Sequence, residues 1–197
     1  MNAIETEIKF RVNDSAALEQ RLIEAGFRNI TPRTFERNVL YDTPDRTLRA
    51  DRQILRIRQY GAKWIVTHKR TPLNDAADAR HKQRIETETE VADGETMAAV
   101  FESLGFTQAF VYEKWRAEWA DETGHCVIDE TPIGSFAELE GPSEWIDTAA
   151  AKLGVDADQF LTLSYGRMFE TWKLETASSA ENMTFEEICG SVISEIR

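Results

Sequence analysis

The chain predicts an α+β fold in which about eight antiparallel strands close into a barrel, with a charged interior and helices packed outside. Three observations carry this expectation. Short β-rich runs are separated by turn residues along most of the chain, charged doublets recur on one face of strand after strand, and two strand–helix units repeat at a common spacing.

The elements follow in order. Ile4, Thr6, Ile8, Phe10 and Val12 alternate with Glu5, Glu7, Lys9 and Arg11, and a period of two means a strand. Asp14-Ser15 then opens a helix carrying Leu18, Leu22 and Ile23, and Gly26 closes it because glycine adopts the left-handed cap at little cost. The same pattern returns later: Arg84, Glu86, Glu88 and Glu90 alternate with Ile85, Thr87, Thr89 and Val91, after which Asp93 opens a helix with Met97, Val100, Phe101 and Leu104 that stops at Gly105. Glu7 precedes Gly26 by 19 residues, as Glu86 precedes Gly105, so two similar halves offset by 79 residues are expected. Further strands are expected at Phe35–Tyr41, Gln53–Tyr60, Lys63–Arg70, Phe110–Trp119, His125–Glu130 and Phe136–Glu140, with a mobile loop at Asn74–Ala79. Helices are expected from Pro142 to about Gly154 and from Tyr165 to Lys173. The tail Thr184–Ile196 aligns Phe185, Ile188, Val192, Ile193 and Ile196 on one face, with Thr184 and Glu187 at capping-box spacing, so it should dock on its own barrel or on a second subunit.

Composition bounds the function. The 197 residues hold 23 Lys plus Arg against 35 Asp plus Glu, a net charge of −12. That disfavours nucleic-acid and membrane-surface binding, both of which need a basic face. No apolar leader or membrane-spanning run is visible, and Cys126 and Cys189 form no disulfide framework, so a reduced cytoplasmic protein is expected. His68, His81 and His125 show no metal-ligand spacing.

The placement of charge is more informative than its sum. If the sheet closes, one face of every strand points into a common lumen. Seven acids (Glu5, Glu7, Glu86, Glu88, Asp129, Glu138, Glu140) and eight bases (Lys9, Arg11, Arg56, Arg58, Lys69, Arg84, Lys114, Arg116) would line it. The opposite faces carry Ile8, Phe10, Ile57, Trp64, Val66, Trp115, Trp119 and Ile128, which the helices would cover. A charged lumen is costly unless its ions are paired or bind ligands. Carboxylates suit Mg²⁺ or Mn²⁺, and Arg and Lys suit phosphates, so the interior is matched to a polyanion taken up with divalent cations.

These residues resemble a known family. Glu5-Thr6-Glu7-Ile8-Lys9 is similar to the ExExK signature of the CYTH superfamily, the triphosphate tunnel metalloenzymes, which include class IV adenylyl cyclases, thiamine triphosphatases and inorganic triphosphatases. Tyr41-Asp42-Thr43-Pro44-Asp45, Leu55-Arg56-Ile57-Arg58, Thr67-His68-Lys69, Arg84-Ile85-Glu86-Thr87-Glu88, Lys114-Trp115-Arg116, Asp129, Gly134–Glu140 and Leu163-Ser164-Tyr165 follow in that family's order. The resemblance covers about residues 3–172 and implies a tunnel domain over 1–175, leaving 176–197 as a polar linker and amphipathic helix. It implies that Glu5, Glu7, Asp129, Glu138 and Glu140 hold one or two metal ions, Mg²⁺ or Mn²⁺. It also implies that Lys9, Arg56, Arg58, Lys69, Arg84, Lys114 and Arg116 grip a triphosphate, with Glu86 and Glu88 in secondary roles. Catalysis would fall to Glu5, Glu7, Lys9, Glu138 and Glu140. Glu36-Arg37-Asn38 departs from the common pattern before the Tyr-Asp-Thr element, which leaves selectivity at the substrate end open without touching the tunnel.

The expected function is metal-dependent hydrolysis of a triphosphate-containing small molecule: inorganic triphosphate, thiamine triphosphate or a nucleoside triphosphate. The alternative is a class IV adenylyl cyclase making cyclic AMP and pyrophosphate, and behind it a non-catalytic polyphosphate- or nucleotide-binding module. A homodimer is compatible with the apolar tail.

Overall fold

The computed structural model describes residues 3–72 and 81–190. The loop expected at 74–79 and the tail beyond 190 lie outside the described residues.

Eight strands form a closed barrel: β1 (Ala3–Val12), β2 (Arg28–Asp42), β3 (Ile54–Tyr60), β4 (Lys63–Arg70), β5 (Lys82–Val91), β6 (Thr107–Ala120), β7 (His125–Thr131) and β8 (Gly134–Glu140). Their order around the barrel is β1-β5-β4-β3-β2-β6-β7-β8, and every neighbouring pair is antiparallel. Closure leaves no free sheet edge, so each strand needs side chains for two distinct environments, lumen and outer wall.

The outer wall is apolar and mostly lies under helices. Helix α1 (Ser15–Glu24) and helix α4 (Ser143–Lys152) bury Leu18, Leu22, Ile146, Ala149 and Ala150 against Ile8, Phe10, Trp119, Ile128 and Leu139. Helix α3 (Gly94–Ser103) packs Met97 and Phe101 on Tyr41, Ile57, Trp64 and Val66. Trp115 differs from the expectation: Arg33 lies over its ring at 4.1 Å and Phe35 meets it edge-on at 5.2 Å. Two short elements were not foreseen, helix α2 (Thr47–Ala50) and a 3₁₀ turn at Ala157–Gln159.

The two halves repeat in space. β1, α1 and β2 begin at residues 3, 15 and 28, and β5, α3 and β6 begin at 82, 94 and 107. Asp14 and Asp93 each cap their helix by accepting a backbone N–H bond, and Gly26 and Gly105 follow the helices with φ of +94° and +90°. The repeated units also pair with each other, β1 with β5 and β2 with β6.

One end of the barrel is capped from within the chain. Helix α5 (Tyr165–Thr176) buries Tyr165, Met168 and Phe169 against Phe136 and Tyr112. Just before α5, Leu161 exchanges both backbone hydrogen bonds with Lys9, using a stretch of β1 that β5 leaves unpaired. After it, Met183 exchanges backbone bonds with Val111 and Glu113 of β6, and helix α6 (Phe185–Cys189) follows, capped by Thr184. The described part of the tail therefore docks on its own barrel.

Candidate active site

Alternation along each strand fixes which side chains enter the lumen, and the register brings the charged ones together. On β1 and β8, Glu7 lies opposite Glu140 and Lys9 opposite Glu138. On β5, Arg84 faces Glu5 and Lys82 faces Glu7. Arg116 lies opposite Asp129, and Lys69 opposite Glu86.

The result is a chain of ion pairs. Lys9 Nζ donates to Glu138 at 2.7 Å and lies 3.7 Å from Glu7. Arg116 bridges Glu138 at 3.1 Å and Asp129 at 2.6 Å, and Lys114 reaches Asp129 at 2.9 Å and Glu36 at 3.4 Å. Arg58 pairs with Glu88 at 2.9 Å, and Arg56 donates to Tyr112 and Thr67. Closer to Glu5, Lys69 donates to Glu5 at 2.6 Å and lies 3.1 Å from Glu86, while Lys82 pairs with Glu7. Arg84 is held by Thr71 and by the Arg52 carbonyl, with no carboxylate partner among the described residues.

The electrostatics divide the carboxylates into two sets. Burial works against ionisation of Glu7 and Glu138. Even so, Lys9 and Lys82 bring Glu7 down to about 2, and Lys9, Arg116 and Lys114 hold Glu138 well below the usual range. Glu140 behaves in the opposite way: burial, with Glu5, Glu7 and Glu138 nearby, pushes its carboxyl up to about 7 despite Lys69. Burial and the neighbouring Glu7 and Glu86 also raise Glu5, again against Lys69. Glu5 and Glu140 are thus carboxylates crowded by like charge, the condition a bound cation relieves.

No three acidic, histidine or cysteine side chains among the described residues converge tightly enough to form a ready cation cage. Glu5, Glu7, Glu138 and Glu140 nonetheless offer hard oxygen donors on adjoining strands with excess negative charge, which suits Mg²⁺ or Mn²⁺. Asp129 stands apart from them. It is fully buried, and its two oxygens accept from Lys114, twice from Arg116, and from Tyr165 Oη at 2.6 Å. That leaves it suited to positioning cations.

Four residues lie elsewhere than the sequence predicts. Lys82 lies in the lumen but outside the expected set, because its strand begins two residues before the expected Arg84. Arg11, counted as a lumen base, is exposed at the end of its strand, over the Phe136 ring. Glu36 and Asn38, on a strand expected from sequence but absent from the expected lumen set, are both fully buried in the lumen. The parity of Phe35, Val39 and Tyr41 on the outer face was the available signal, since it turns 36 and 38 inward.

Comparison with known proteins agrees with this geometry. The CYTH domain matches residues 3–163. A candidate adenylate cyclase of Methanocaldococcus jannaschii is 31% identical over 138 residues, covering 70% of this chain and 76% of that one. Among solved structures, a candidate adenylate cyclase from Vibrio parahaemolyticus superposes with a TM-score of 0.75 at 17% identity, over 86% of this chain and 99% of that one. The PH1012 protein from Pyrococcus horikoshii gives 0.68 at 22%, over 82% and 96%. A Hippeastrum adenylyl cyclase candidate with dominant triphosphatase activity gives 0.58 at 20%, over 85% and 95%. The eight-stranded charged barrel and the match over most of its length establish that the chain belongs to the CYTH domain family.

Proposed function

We propose that the protein is a divalent-metal-dependent phosphohydrolase that binds a triphosphate-containing small molecule in the barrel lumen and cleaves it. The observation that carries this reading is the segregation inside the barrel. Carboxylates with raised proton affinity, Glu5 and Glu140, lie beside Lys69, and the deeper lumen holds Arg56 and Lys114 buried and Arg116 mostly so. Phosphoryl transfer is served chiefly by positioning and charge neutralisation, which such a set supplies.

Glu5, Glu7 and Glu138 would hold Mg²⁺ or Mn²⁺, which supplies neutralisation of phosphate oxygens and polarisation of the phosphorus when bound. Lys69 and Arg84 grip the phosphate nearest these glutamates, and Lys9, Arg56, Lys114 and Arg116 hold the rest. Arg84, bonded to Thr71 and the Arg52 carbonyl and without a carboxylate partner among the described residues, would turn to an incoming phosphate. Glu140, the remaining carboxylate beside Glu5, Glu7 and Glu138, would accept the proton of an attacking water. Tyr165 and Asp129 keep Lys114 and Arg116 pointed into the lumen.

The second reading, cyclisation of ATP, is favoured by the name of the M. jannaschii relative. The hydrolase reading is favoured by the triphosphatase activity of the Hippeastrum protein. Incubating the purified chain with ATP, inorganic triphosphate and thiamine triphosphate, each with Mg²⁺ or Mn²⁺, and resolving the products decides between them. Orthophosphate is the expected product; cyclic AMP with pyrophosphate would establish the cyclase, and no turnover would leave a binding module. Glu138→Gln should keep a cooperative melt while turnover falls by about 100-fold or more, the scale of losing one catalytic group.

A further inference from the structure

Glu36 is an anion set among cations that the proposed function assigns to phosphate binding. It lies on β2, four places from β1 in either direction round the barrel, so it faces the glutamates of β1 across the lumen. Its side chain is 0% exposed. Oε1 accepts from Asn38 Nδ2 at 2.8 Å and lies 3.4 Å from Lys114 Nζ, and Oε2 lies 3.9 Å from both Arg58 and Arg116. Burial opposes its ionisation, but Lys114, Arg116, Arg58 and Arg56 together bring the carboxyl down to about 2, so it is charged at every physiological pH. Two acceptors there have no hydrogen-bond partner among the described residues, Glu36 Oε2 and Asn38 Oδ1. Buried acceptors are seldom left unpaired, and these two, on successive inward positions of β2, can receive donors from a ligand.

We propose that Glu36 is a specificity-determining residue that selects esterified triphosphates over free inorganic triphosphate, with the organic group lying on the β2 side of the lumen. This deepens the reading of the lumen as a triphosphate site and rests on it. Free triphosphate ends in two terminal phosphates, each able to carry two charges; an esterified triphosphate has one such end and a singly charged phosphate next to its organic group. With the fully ionised end drawn to the β1 and β8 glutamates and their metal, the other end meets Glu36. A second terminal phosphate there is repelled by the resident carboxylate and finds Lys114, Arg58 and Arg116 already partly neutralised. An organic group bearing hydroxyl or amino donors is accepted instead, since Glu36 Oε2 and Asn38 Oδ1 can receive its hydrogen bonds.

The test is calorimetric titration of wild type, Glu36→Gln and Glu36→Asp with inorganic tripolyphosphate, ATP and thiamine triphosphate, using Ca²⁺ as the divalent ion to slow turnover. Wild type should bind one of the esters at least about tenfold tighter than tripolyphosphate, the scale of one partly screened like-charge contact. Glu36→Gln should tighten tripolyphosphate by about tenfold and narrow that preference, while Glu36→Asp, which keeps the charge, should hold the preference within about threefold. Wild type binding tripolyphosphate as tightly as both esters overturns the proposal whether or not the variants fold, as does an unchanged preference in folded Glu36→Gln. Wild type binding none of the three instead removes the triphosphate reading on which the proposal rests.

Discussion

Asp129 accepts four hydrogen bonds while wholly buried, from Lys114, Arg116 and Tyr165. Removing one member of such a group leaves buried charge without its counterion, which is far costlier than never having built the group. Asp129→Asn should therefore lower unfolding stability by about 3–5 kcal/mol, read as a fall in the denaturation midpoint. A change near zero would mean that Lys114 and Arg116 are satisfied by Glu36 and Glu138 alone. From sequence, Asp129 could not be told from the glutamates, because charge and strand face are shared and only the third dimension shows which carboxylate is surrounded by bases. Glu36 yields a pH prediction with a definite sign. Its folded carboxyl titrates at about 2 against an ordinary 4.5, so folding favours its ionised form. The stability this supplies is complete above the ordinary value and lost as pH falls through the folded one. Melts of wild type and Glu36→Gln should accordingly converge between about pH 4.5 and 2, a pH-dependent gap on the order of 3 kcal/mol. A gap that stays constant through that range would mean that the bases around Glu36 do not hold its proton off.

At the scale of elements, helices α1 and α3 were legible because each combines helical spacing with a cap at both ends, and β1 and most of β5 because their alternation is clean. The ends of β2 and β6 were not. Arg28–Thr34 is polar and carries Pro32, and the β2–β6 register shifts between Thr31 and Thr34, where the missing proline N–H is tolerated at an irregularity. No period-two pattern survives such an interruption, although the repeat could have supplied it, since β2 and β6 also begin 79 residues apart. Close approach of helix to barrel was equally hidden. Gly94 opens α3 directly over Trp64, and a Cβ there would lie 2.0 Å from the indole ring. Gly94→Ala should force α3 or Trp64 aside and cost about 1–3 kcal/mol, the usual penalty of overpacking, measurable by urea denaturation. Loss of stability should be smaller in Gly94→Ala combined with Trp64→Phe than the two single losses summed, because the clash is with the ring itself. Strict additivity would place the cost in the α3 backbone.

For the whole molecule, a net charge of −12 is compatible with an anionic ligand because the fold separates inside from outside. Most of the named lumen bases are held against lumen acids, so the interior is close to balanced, and a triphosphate brings in charge that metal ions must offset. The acidic exterior acts on the ligand before it enters. At low ionic strength, with a Debye length near ~30 Å, an approaching triphosphate is repelled by the whole surface; at physiological salt, near ~8 Å, that repulsion is screened. Contacts inside the barrel, shielded from bulk ions, change much less. Association of a fluorescent triphosphate should therefore quicken as salt rises from about 0.01 to 0.15 M at constant free Mg²⁺, with dissociation nearly unchanged. A basic-surfaced nucleic-acid binder shows the reverse, its affinity falling steeply with salt as counterions are released. Stopped-flow traces that slow with added salt would mean that a local positive field at the barrel mouth outweighs the acidic exterior. The ligand would then be steered from outside as well as held within, and the outer surface near Arg84 would be the place to look for that field.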